Sequence, residues 1–170
     1  MRMTRREVLV AGAAAALLPR GAWGQASALS AETRSALDTS PLVYVSALKR
    51  DGAESHCHAE VWFVRDGESA LVVTSAQAWR AQAIGKGLSR ARLWVGDFGV
   101  WSGKSDYRRY AAGLAFDAQA SLEKAPVAHD HALSLFGSKY TREWGSWGPR
   151  FKNGLADGSR ALIRYRAIAG

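Results

Sequence analysis

The chain has 170 residues, a net charge of +8 and one cysteine. A single thiol rules out an internal disulfide and any zinc-type cysteine spacing. The charges are scattered in sign with no basic run, which excludes an arginine-rich nucleic-acid arm.

Residues 1–24 have the order of an export signal. Arg2, Arg5 and Arg6 come first, then an apolar, Ala-rich run over 8–18, then Ala22 and Gly24 ahead of Gln25. The run is too short to span a membrane. Arg5-Arg6 directly before it resembles a twin-arginine signal, which exports proteins already folded. The expectation is therefore a periplasmic or otherwise extracytoplasmic protein, with a signal at 1–24, a lead-in at 25–40 and one domain at 41–170. Losing the signal's four arginines and one glutamate brings the charge from +8 to +5. That balance suits an anionic small molecule.

Ser30 reads as the cap of a short helix ending near Leu37. Pro41 opens a β-branched strand over 42–48, which Asp51-Gly52 closes as a turn. A second strand over 56–64 is almost continuously apolar, so both of its faces should be covered. Asp66-Gly67 turns the chain into a third strand over 70–75. Two Asp-Gly turns this close together require an antiparallel meander, since parallel crossovers need more chain. Residues 76–87 read as a helix, 91–98 as a fourth strand and 107–120 as a fifth containing Gly113. Pro126 marks a break. Leu133, Phe136, Tyr140 and Trp144 recur at helical spacing over 130–144. Residues 145–158, rich in Gly with aromatics, read as a loop before a last alternating strand over 160–168. The sum is a mainly β protein, a six-stranded antiparallel barrel with a few helices, because closure removes exposed edges.

Thr74 and Ser75 end the third strand where a helix begins, with Arg80 and Lys86 in the following turns. Hydroxyls and cations converging at such a junction hold a phosphate. The same residues also make an ordinary helix cap with two solvated cations. This element order, with Thr74-Ser75 followed by Trp79-Arg80 and Lys86, resembles the FMN-binding split-barrel family, the pyridoxamine 5′-phosphate oxidase-like proteins. The likeness covers about two thirds of the chain after residue 24. It implies an oxidoreductase that binds FMN in a groove at a homodimer interface. Thr74, Ser75, Arg80 and Lys86 would face the phosphate, and the ring would lie near Glu60-Val61-Trp62, with Trp62 or Trp79 packed against it. The oxidases of the family have a paired Arg-Lys where this chain has Trp79-Arg80, and a Trp here resembles the deazaflavin-dependent branch.

His56-Cys57-His58 puts two histidines on one face of a strand. They could share haem iron or a metal, with His129 and His131 as further ligands, or simply be polar residues at a strand start. Cys57 reads as a small buried apolar residue. The stretch Trp144-Gly145-Ser146-Trp147-Gly148-Pro149 could be a lid over a ring or a structural plug. A non-enzymatic haem-binding protein or a cofactor-free interaction domain on the same barrel are the alternative functions.

Overall fold

The computed structural model describes residues 28–103 and 107–169. The export signal read at 1–24 lies outside them.

Helix α1 (Ala31–Thr39) starts as its sequence dictates: the Ser30 hydroxyl accepts the Thr33 N–H at 3.0 Å. The chain continues through β1 (Leu42–Leu48), β2 (Glu54–Trp62), β3 (Val64–Asp66), β4 (Ser69–Ser75) and α2 (Trp79–Gly85). Then follow β5 (Arg90–Val95), α3 (Tyr107–Ala111), β6 (Leu114–Glu123), α4 (Pro126–Lys139), α5 (Trp144–Asp157) and β7 (Arg160–Ala167). All strands pair antiparallel in one sheet, in the order β2-β1-β5-β6-β7-β4-β3. It is a half-barrel of seven strands.

The seventh strand arises because the stretch expected as one strand over 56–64 breaks at Phe63. β2 and β3 stand at opposite ends of the sheet order, so the chain crosses from one edge to the other at this residue. Phe63 is fully buried, and the Tyr140 hydroxyl serves its backbone. The Phe63 N–H donates to that oxygen at 3.0 Å. The hydroxyl donates its one proton to the Phe63 carbonyl at 2.7 Å, and the Pro41 carbonyl lies 2.9 Å away.

Strand alternation divides the core. The inner face gathers Val43, Val45, Ala70, Val72, Leu93, Phe116, Ile163 and Tyr165 beneath Leu37 of α1. The outer face of β4 and β7, with Leu71, Val73 and Leu162, packs on Phe136 of α4 and on Phe151 and Leu155 of α5. A third cluster, Tyr44, Trp94 and Tyr110, lies outside β1 and β5.

Two assignments by periodicity change. The fifth strand expected over 107–120 is α3 followed by β6. Tyr110 is buried by stacking on Tyr44 at 4.6 Å, and the Gly113 N–H closes the turn onto the Tyr110 carbonyl at 2.8 Å. The loop expected over 145–158 is helix α5. Its glycines are sites of close approach: a Cβ at Gly148 would stand 2.9 Å from the Trp144 indole, and one at Gly154 2.6 Å from the Arg160 stem. Helix α4 begins at Pro126, whose missing N–H costs nothing in a first turn.

Candidate functional site

The end of β4 positions the residues expected to meet a phosphate. Thr74 is buried and shares its face with Ala70 and Val72, toward the barrel interior. Ser75 is the next residue, so it points to the opposite face. It is exposed, and its hydroxyl accepts the Gln77 N–H at 3.2 Å. The two hydroxyls therefore do not converge. The Arg80 guanidinium donates to the Thr74 hydroxyl in a short contact. Its charge is also felt by the enclosed Tyr165 phenol, which burial pushes well above its ordinary range. α2 is shorter than the helix expected over 76–87, so Lys86 is its C-terminal cap. The Lys86 ammonium sits 5.0 Å from the Trp79 ring centre. Thr74 with Arg80, and Trp79 with Lys86, are thus two adjoining pairs at one end of the barrel. Tyr165 is the residue that sequence reasoning missed here. Its alternation with Ala161 and Ile163 marked its face, but nothing marked its nearness to Arg80.

Trp62 lies elsewhere. It stacks on Tyr140 at 4.5 Å, nearly parallel, and meets Trp147 edge-on at 5.7 Å. Arg150 and Arg160 hold their guanidinium carbons 5.1 Å and 5.9 Å from the Trp147 ring centre. Trp147 belongs to α5, so the stretch read as either a lid or a structural plug is a packed helical element.

The histidines separate. His58 stands among Trp94, Trp101, Tyr107 and Tyr110, with ring centres 5.2–6.0 Å away. Its Nδ1 is 2.5 Å from the Tyr110 hydroxyl. Desolvation holds its pKa below the usual histidine value, against the opposing charge of Glu54. His56 is exposed, and so is Cys57, contrary to the expected burial. β2 is an edge strand whose far side is open, so alternation there does not imply cover. His129 binds the Glu123 carbonyl at 2.9 Å and His131 the Asp66 carboxylate at 3.3 Å, so neither joins His56 and His58.

Several cavities mark the surface. One of about 480 Å³ is lined by Glu54, Arg92, Trp94, Tyr107 and Asp117 among others. Another of about 700 Å³ lies between α4 and α5, against Leu133, Trp144, Pro149 and Lys152. Thr74, Arg80 and Lys86 line neither of these two cavities. Among the described residues no helix is long and apolar enough to cross a membrane.

No family model and no curated protein matches the chain. Solved structures do match. The haem storage protein HutZ of Vibrio cholerae is 15% identical over 82% of this chain and 89% of its own, with a TM-score of 0.55. General stress protein 26 of Bacillus anthracis is 13% identical over 79% and 84%, at 0.50. A general stress protein 26 relative of the pyridoxinephosphate oxidase family, from Clostridium acetobutylicum, is 14% identical over 80% and 81%, at 0.51. At these identities the likeness is one of fold: this chain is built as a split barrel of the pyridoxamine 5′-phosphate oxidase-like type.

Proposed function

We propose that the chain is an exported split-barrel flavoprotein, an oxidoreductase that holds FMN or a deazaflavin cofactor at the interface of a homodimer. The observation that carries this reading is the Arg80 guanidinium. It rests on the Thr74 hydroxyl and has no carboxylate partner among the described residues. Arg65, Arg92 and Arg164 are each committed to acidic side chains. A guanidinium left without an acid, beside a hydroxyl, has the donor chemistry a phosphate requires.

The donor set fits a phosphate in part. Arg80 and Lys86 would hold it, with Thr74 orienting Arg80, and Trp79 would pack beside the ring. Ser75 faces the other way, and Trp62 is packed on Tyr140, so both would contribute only from the second subunit or after repacking. The cofactor, when bound, supplies hydride or electron transfer. This chain's own part is to bind the phosphate and to keep one side of the ring against an apolar wall. The twin-arginine pattern agrees with a cofactor loaded before export.

The second reading is a haem-binding protein, favoured by the likeness to a haem storage protein. His58 is boxed by four rings, so the exposed His56 is the iron ligand in that reading. The visible spectrum of the protein from its native compartment decides between them. A flavin or deazaflavin band supports the first reading and a Soret band the second. A colourless protein that takes up neither added FMN nor added deazaflavin cofactor overturns the first.

A further inference from the structure

We infer that the outer face of β7 and α5 carries a second anion site, distinct from the Arg80 corner, in which Arg150 and Arg160 grip the phosphate or carboxylate group of a small organic acid.

Three independent features of the fold build it. The first is Trp147, whose indole has two guanidinium groups within cation–π reach, from Arg150 of α5 and Arg160 of β7. Arg160 also lies 5.3 Å from the Phe151 ring centre. A guanidinium held against a ring keeps its N–H donors for an acceptor. The second is Gly154. It lies inside α5, where glycine is an unfavourable helix residue, and a Cβ there would stand 2.6 Å from the Arg160 Cγ and 2.7 Å from its Cδ. The glycine thus clears the track along which the Arg160 stem runs to Trp147. The third is register. Ser75 pairs directly with Arg160 across β4 and β7, so its exposed hydroxyl stands on the same face as Arg160 and not on that of Thr74.

Neither arginine has a carboxylate partner among the described residues. Asp157, the acid on α5 closest in sequence to Arg160, is turned to the Ser159 N–H at 2.8 Å. Two guanidinium groups at one indole, and a hydroxyl on the same face as Arg160, with no acid to satisfy them, suit the oxygens of a phosphate monoester or a carboxylate.

The test is a titration of the full chain with inorganic phosphate and, separately, with benzoate, followed by the Trp147 indole N–H signal in ¹H–¹⁵N NMR. The signal is identified by its loss in Trp147→Phe. A saturable shift is expected with at least one of the two acids, and which one responds names the group. The affinity falls about tenfold or more in Arg160→Ala and Arg150→Ala, the loss of a charge-assisted hydrogen bond. Arg160→Lys, which keeps the charge and the stem but not the fork, also weakens binding and guards against a variant that fails to fold. The shift persists in Arg80→Ala, which separates this site from the flavin reading. Absence of a saturable shift with both acids overturns the inference. So does an affinity unchanged in both Arg160 variants, or a response abolished by Arg80→Ala alone.

Discussion

At the scale of single residues, two side chains hold the half-barrel at places where strand pairing cannot. Tyr140 satisfies both backbone groups of Phe63, the residue at which the chain passes from one sheet edge to the other. Tyr140→Phe keeps the ring stack on Trp62 but leaves a buried N–H and a carbonyl without a partner. The expected cost is about 1–3 kcal/mol, read as a lower urea midpoint with an unchanged slope. An unchanged midpoint would mean that the backbone of Phe63 finds another partner. Asp66 accepts from Arg164 at 2.8 Å and from His131 at 3.3 Å. The hydrogen bond from Arg164, helped by His131, holds its carboxyl below the usual range against the effect of burial. A carboxylate depressed in the folded state contributes stability that is complete above its unfolded pKa of about 3.9. That stability is lost as the pH falls through the folded value. Asp66→Asn should therefore melt below the wild type at about pH 6, and the gap should close toward about pH 2. A gap that stays constant with pH would assign the effect to packing.

Among the elements, α5 shows where reading the sequence stops. The strands over 42–48, 70–75 and 160–168, and the cap at Ser30, were legible because alternation, Asp-Gly turns and a capping serine are local signals. Gly145, Gly148, Pro149 and Gly154 gave equally clear local signals for a loop, and tertiary contacts overrode them. The Trp144 indole lies between Gly137 of α4 and Gly148 of α5, each with room for no side chain. Only the packed helix pair reveals what those glycines are for. Gly148→Ala and Gly145→Ala should then act in opposite directions. A Cβ at 148 meets the indole, and overpacking costs about 1–3 kcal/mol. A Cβ at 145 meets nothing within 4 Å, and better helix propensity adds up to about 1 kcal/mol. Denaturant midpoints of the two variants check this, and shifts of the same sign would contradict the packing role. The site was legible to a similar depth. Its sequence placed Thr74 and Arg80 close enough to meet, and they do. It did not show that Ser75 turns away to Arg160 or that Tyr165 lies beneath Arg80, because both facts depend on strand register.

For the whole molecule, the half-barrel leaves β2 as an edge strand. The reading as a homodimer predicts that sedimentation of the protein without residues 1–24 gives twice the mass of one chain. A monomer at micromolar concentration would contradict it. Fold alone does not assign chemistry, since split barrels that share this architecture include a haem storage protein and general stress proteins. What assigns it is whether the basic corner at the end of β4 holds a flavin phosphate. The most direct measurement is a titration of the purified protein with FMN and with a deazaflavin cofactor, followed by quenching of the cofactor's fluorescence, repeated on Arg80→Ala with Lys86→Ala. Saturable binding that weakens at least about tenfold in the double variant is the predicted result. Equal affinity in wild type and variant, or no binding by the wild type, would contradict it.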